Sequence, residues 1–308
     1  MQLGSTGVWS GVFRQEKPEV LKAAAEIEDL GYGAIWMPGG QHAGLADHLQ
    51  NLLKATRRAV VATGIVSIWT HPASATAATH HALEHAFPDR FLLGIGISHQ
   101  RAVEGAGITY AKPLSKLREY LEELDAAPQP VPVDERILAS LGPLSLKLAR
   151  DRSLGTHPYF MPVEHTRISR AAVGPGKIVA PEQMVVLETN AERARTIARA
   201  AADRYLHAPN YVNNLLRLGF TDADIANGGS ERLIDALIAW GEPAVIAQRI
   251  AEHHAAGADH VCIQVLTETP GDLDAAMVGW RQLAPALREL PLPPGEALSR
   301  GEGYAAPR

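Results

Sequence analysis

A (β/α)8 barrel is the fold class this sequence predicts, and three observations predict it. Short apolar runs alternate with amphipathic runs eight times along the chain. Most of the apolar runs are continuous, as strands buried on both faces of a parallel sheet are. The length, 308 residues, suits one large barrel or about two ordinary domains, and regular strand–helix alternation favours the single barrel.

The strands are expected at Leu3–Trp9, Gly33–Met37, Val60–Trp69, Phe91–Ile97, Arg136–Leu141, Thr156–Phe160, Met184–Glu188 and His260–Leu266. Helices are expected between them. Pro18–Leu30 puts Leu21, Ala24, Ile27 and Leu30 on one face, with Pro18 in the first turn and Gly31 as the stop. Ala73–Phe87 halts at Pro88, and Pro113–Leu124, Pro143–Arg150 and Pro162–Ala172 each open with proline. About seventy residues separate the last two strands, too many for one crossover. They read as a helical insertion of Ala191–Leu206, Asn210–Leu218, Ser230–Ala239 and Pro243–Ala256. Residues 1–290 are thus expected to form one domain, with 291–308 a loose tail lacking periodicity.

Composition excludes several functions. Lys and Arg total 29 against 34 Asp and Glu, a net charge of −5, with no basic block for nucleic-acid phosphates. No apolar run approaches the roughly 20 residues of a membrane span, and Met1-Gln2-Leu3-Gly4 does not read as a signal peptide. The single cysteine, Cys262, permits neither an intrachain disulfide nor an all-cysteine metal site. A cytoplasmic protein is expected.

Barrel chemistry sits at the carboxyl ends of the strands. Those ends carry Ser10, Pro38, Trp69, His71, Ser98, His99, Gly142, His157, Tyr159 and Gln264. Gly94-Ile95-Gly96-Ile97-Ser98 lacks the third glycine of a dinucleotide fingerprint; it serves either close backbone packing or a flat ring laid against the strand end. Ser140-Leu141-Gly142-Pro143 leads straight into a helix, which is either a plain tight turn or a phosphate site. His81, Glu84 and His85 have the spacing of a metalloprotease motif, but their helix packs outside the barrel, so a solvated or interfacial face is favoured. Cys262 reads as a small buried apolar residue, and His253 and His254 read as a helix surface.

Several segments together resemble one family. Ala62-Thr63-Gly64-Ile65-Val66-Ser67-Ile68-Trp69 and Pro88-Asp89-Arg90-Phe91 through His99 are similar to the third and fourth strands of bacterial luciferase-like flavin oxidoreductases. The likeness extends through Leu138–Pro143, Thr156–Tyr159, Glu164-His165-Thr166, Ala180–Gln183, Pro209–Phe220 and Ala258–Leu266, and is greatest toward an actinobacterial subgroup thought to use the deazaflavin F420. It implies a modified barrel with F420, or alternatively FMN, at the strand ends. It also implies a cis peptide at Gly64–Ile65, with Gly64, Ile65, Ser67 and Ser98 against the ring. His99 matches the strand end facing that ring, where sugar-phosphate dehydrogenase relatives carry a glutamate. Those relatives also end the second strand in Asp-His, where this chain has Met37-Pro38-Gly39-Gly40. Both departures speak against a sugar phosphate.

The expected site follows. His99 is the acid/base, with His157 or His42 as runner-up, because imidazole titrates near neutrality. Leu141, Gly142 and Pro143 hold the cofactor phosphate. Trp69, Tyr159, Tyr211 and His42 line the substrate. Lys112, Lys116, Arg118, Lys147 and Arg150 either offer a basic rim for the F420 tail or are ordinary surface. Asp203–Phe220 either covers the barrel mouth or packs at its side or in a dimer interface. The leading expectation is hydride transfer to or from a small organic substrate by a homodimer. The alternatives are an FMN-dependent monooxygenase and a non-catalytic helper subunit.

Overall fold

Eleven strands form the sheet among the described residues of this computed structural model, which are 1–15, 17–40 and 44–290. They are β1 Thr6–Trp9, β2 Ala34–Met37, β3 Val60–Thr63, β4 Val66–Ser67, β5 Phe91–Gly96, β6 Arg136–Leu138, β7 Gly155–Thr156, β8 Ile178–Val179, β9 Glu182–Val186, β10 Ile238–Trp240 and β11 Val261–Val265. Neighbours run β10-β9-β11-β1-β2-β3-β5-β6-β7-β8, with β4 on β5. All pairings are parallel.

Two pairs of these strands are halves of single staves. β3 and β4 are interrupted at Gly64–Ile65, and β8 and β9 at Ala180–Pro181. The second stave pairs with β7 at its start, while the Val179 and Pro181 carbonyls accept from Asp259 and Cys262 at the start of β11. That closes an eight-stave barrel. β10 lies outside it, on the free side of the end of β9.

The helices are α1 Pro18–Asp29, α2 Leu45–Ala55, α3 Ala73–Ala86, α4 Gln100–Gly105, α5 Pro113–Asp125, α6 Pro143–Arg152 and α7 Val163–Val173. After β9 come α8 Ala191–Leu206, α9 Pro209–Arg217, α10 Asp222–Ile225 and α11 Glu231–Leu237, then α12 Pro243–Ala255 and α13 Leu273–Arg288. The insertion has its own apolar cluster, in which Ala194, Ala198, Tyr205, Tyr211 and Leu233 meet Phe160 and Met184.

The barrel interior is filled by Trp9, Ala34, Trp36, Ala62, Leu92, Ile137 and Cys262. Its polar atoms are tethered. Trp36 Nε1 donates to His260 Nε2 at 3.0 Å. The His260 ring must then carry its proton on Nδ1, which donates to the Gly4 carbonyl at 2.7 Å. His157 stacks on Trp36 with ring centroids 4.4 Å apart.

Four expectations need correction. His253 and His254, expected on a helix surface, are buried on α12, where His253 bonds Thr166 and Gln183. The sixth apolar run is extended only at Gly155–Thr156, because the chain turns out of the ladder toward Phe160, whose φ is +56°. The helix expected at Ser230–Ala239 ends at Leu237, and Ile238–Trp240 is a strand paired with β9. Ile178–Val179 is a strand that the pattern did not single out. Runs of two or three residues carry no readable period. His42 and the tail from residue 291 lie outside the described residues.

Candidate functional site

The floor of the barrel mouth is a layer of backbone. The Gly64–Ile65 peptide is cis, and the Ile65 side chain lies over Gly96, where a Cβ would be 2.7 Å from Ile65 Cγ1. A Cβ on Gly94 would be 1.8 Å from the Thr63 carbonyl oxygen. Thr63 Oγ1 ties the two strands, donating to the Gly94 carbonyl and accepting its N–H, both at 2.8 Å. Gly39, just after β2, also approaches closely: a Cβ there would be 2.9 Å from the Ile65 carbonyl oxygen. Of the two readings of the glycine-rich β5, close packing is what the geometry requires.

Two polar atoms lie against this floor without a hydrogen-bond partner among the described residues, Trp9 Nε1 and His157 Nε2. A Cβ on Gly64 would be 2.5 Å from the first and 3.1 Å from the second. His157 Nδ1 donates to the Ala180 carbonyl at 2.7 Å, so Nε2 is the bare acceptor. Burial pushes this histidine down to about 4, against the opposing pull of the Ala180 bond. His157 is thus a neutral group inside the barrel, behind the mouth.

His99 stands at the end of β5, after Ser98 at φ +63°. This left-handed turn swings the chain out of the strand. His99 Nδ1 is buried and unpartnered among the described residues. Its ring centroid is 5.5 Å from that of Tyr211 and 6.1 Å from that of Tyr205. Burial, then the Arg204 charge, lowers its pKa, so the ring is neutral at neutral pH. Trp69 is held in place by Nε1 donating to the Ile97 carbonyl at 2.7 Å. Ser67 is buried, and its hydroxyl accepts from the Trp69 N–H at 3.4 Å.

Aromatic residues from the insertion roof the site, so Asp203–Phe220 meets the mouth of the barrel. Tyr159 Oη donates to Gln264 Oε1 at 2.8 Å, which leaves the Tyr205 hydroxyl, also at 2.8 Å, as donor to Tyr159. Below them, Glu182 accepts from the Phe160 N–H at 3.2 Å through Oε2, while Oε1 has no partner among the described residues. Burial pushes Glu182 up to about 8, against the Phe160 N–H and the Arg204 charge, so it is largely a neutral acid at pH 7.

A second pole lies at the start of α6. Pro143 occupies its first turn, and the next N–H groups have no intrahelical acceptor by helix geometry. His165 Nε2 donates to the Leu141 carbonyl at 2.9 Å, fixing the approach. Arg217 Nη1, donating to Asn214 Oδ1 at 3.0 Å, lies 3.8 Å from where a Cβ on Gly142 would be. The proposed basic rim is less available. Lys116 pairs with Glu119 and Glu123, and Lys147 and Arg150 both pair with Asp151.

The metalloprotease-like spacing holds no metal cluster among the described residues. His81 Nε2 bonds the Gln129 and Pro130 carbonyls, and His80 faces Glu135 at 3.2 Å. The structure therefore brings His99, Ser98, Tyr159 and Tyr211 to the mouth and sets Gly64, Ile65 and His157 below it. Leu141, Gly142 and Pro143 stand at the start of α6. Sequence reading passed over Trp9, Arg14, Glu182, Tyr205 and Arg217. Of these, Glu182 left a signal, a lone charge inside an apolar strand.

A parallel barrel with its titratable and aromatic groups at the carboxyl ends of the strands is the class of protein defined here. The chain belongs to the luciferase-like monooxygenase family, whose model matches residues 4–260. It is 27% identical over 168 residues to a putative coenzyme F420-dependent oxidoreductase of Mycobacterium tuberculosis, a match covering 54% of this chain and 46% of that relative. It thus spans under half of the relative's length. Among solved structures it resembles an F420-dependent secondary alcohol dehydrogenase in complex with an F420-acetone adduct, with TM-score 0.71, 15% identity and coverage of 94% and 100% of the two chains. It also resembles the oxygenating constituent of 3,6-diketocamphane monooxygenase of Pseudomonas putida in complex with FMN, with TM-score 0.67, 15% identity and coverage of 94% and 99%. These structural likenesses concern the fold. No helix of the described residues is long and apolar enough to cross a membrane.

Proposed function

We propose that this chain is an F420-dependent oxidoreductase that moves a hydride between the deazaflavin and a small organic substrate. The observation that carries the reading is His99, a neutral imidazole at a strand end with Nδ1 unpartnered, framed by Tyr205 and Tyr211. The residues fit such a cofactor at two separate places. The start of α6 with Arg217 suits its phosphate, and the Gly64–Ile65 floor with Ser98 suits a flat ring. When bound, F420 supplies the hydride-carrying carbon.

The chain's own residues then position and protonate. His99 takes the proton of a substrate hydroxyl at Nδ1, or returns it to a carbonyl oxygen in the reverse direction. Trp69 bounds the pocket and helps exclude water. His157 supports the floor from below. Tyr159 keeps its bond to Gln264 and steadies Tyr205 in the roof. An FMN-dependent monooxygenase is the second reading, favoured by the FMN-bound neighbour, because the same phosphate pole serves either cofactor.

Separate titrations with F420 and FMN test the reading. Micromolar F420 binding with weaker FMN binding is expected. The reverse preference selects the second reading, and binding of neither selects a helper subunit. In F420-loaded protein, His99→Ala is expected to keep the cofactor and lose about 10²–10⁴-fold in turnover. Unchanged turnover removes the acid/base role. Because the His99 pKa is lowered, kcat/KM for alcohol oxidation holds above the ordinary imidazole value and falls only at more acid pH.

A further inference from the structure

We propose that Arg14 is a specificity residue that receives a carboxylate of the substrate; this rests on the reading of the barrel mouth as an oxidoreductase site. Arg14 closes a short helical turn, Gly11–Arg14, directly after β1 on the catalytic face of the barrel. Its guanidinium is half-buried and lies against the backbone of Gly40. A Cβ there would be 3.1 Å from Nη1 and 3.5 Å from Cζ. Gly40, at φ +53°, leaves that space open. Gly40 in turn bridges to Val66, and its N–H donates to the Ile65 carbonyl at 3.3 Å. One glycine therefore separates the guanidinium from the floor of the site.

No carboxylate among the described residues pairs with this cation, and its Nε is buried with no hydrogen-bond partner. Other arginines of the fold have their donors met: Arg90, Arg199 and Arg217 donate to backbone or amide oxygens. Arg57, Arg136, Arg170, Arg195 and Arg281 all pair with carboxylates of the fold. A guanidinium cannot shed its charge, and partial burial without a counter-ion is costly. A planar fork with free donors matches a carboxylate in bidentate geometry. The phosphate pole at α6 has its own arginine, Arg217, so Arg14 is not needed there. The substrate class that fits is a small organic acid whose reacting carbon reaches His99 while its carboxylate meets Arg14.

The test uses benzoate and its neutral counterpart benzamide as probes, with F420-free and F420-loaded protein. Binding is read by thermal shift and by F420 fluorescence. Wild type is expected to prefer benzoate over benzamide at least tenfold, with affinity falling as salt rises. Arg14→Met is expected to abolish the preference, and Arg14→Lys to keep some of it. The F420 dissociation constant is expected to stay within twofold in both variants. Loss of F420 affinity in Arg14→Met with the benzoate preference intact overturns the proposal in favour of a cofactor contact. An unchanged preference in a folded Arg14→Met also overturns it, as does equal binding of the two probes by wild type. If wild type binds benzoate through Arg14 but never F420, the cofactor reading fails while the anion site stands.

Discussion

Glu182 is a carboxylic acid held where a carboxylate is costly. Its folded value is raised from 4.5 to about 8 by burial, so the folded state holds this proton more tightly than the unfolded chain does. Its contribution to stability is complete below pH 4.5 and is lost as pH rises toward 8. Glu182→Gln is isosteric and cannot ionise, so its thermal midpoint is expected to gain on wild type between pH 5 and pH 8. Melting curves at the two pH values check this, and parallel curves would count against a raised value. The residue was legible as a charge within Val179-Ala180-Pro181-Glu182-Gln183-Met184. His157 was legible as a strand-end histidine, but its inward direction was not. A strand buried on both faces gives no alternation from which to read inside and outside.

At the scale of elements, the β3–β5 seam depends on glycine more than on any side-chain contact. The missing Cβ of Gly94 lets the Thr63 carbonyl approach. Gly94→Ala must push back a strand that is also joined to β5 through Thr63 Oγ1. A loss of about 3 kcal/mol is expected, at the upper end for overpacking, measured by denaturant unfolding; a loss under about 1 kcal/mol would show that the seam opens easily. Most staves were readable because their cores are apolar runs flanked by turn residues; the sixth, Gly155–Thr156, is not such a run and meets the expected strand only at Thr156. The stave interruptions at Gly64–Ile65 and Ala180–Pro181 belong to tertiary packing. The former was anticipated only through the family resemblance. The insertion helices α8 and α9 were legible from their period, but their place over the mouth follows from Tyr205 and Tyr211 packing on Phe160.

At the scale of the whole molecule, the barrel and its outer layer carry several histidines as neutral filling. Burial lowers His157 and His260 to about 4, and His253 to about 3. The unfolded chain takes up these protons near its ordinary 6.5, before the folded state does. The stability they confer is therefore present above pH 6.5 and lost as pH falls toward their folded values. The thermal midpoint is expected to fall steeply between pH 6.5 and pH 4, more than one histidine alone allows. A midpoint flat across that window would show that these rings are already charged or solvated. The same sealed interior holds the chain's single thiol, Cys262, fully buried on β11 with its pKa raised by burial. A thiol so placed is a clock for the breathing of the barrel. It reacts with a labelling reagent only in molecules whose staves have separated, so its labelling rate counts those openings with no residue engineered into the protein.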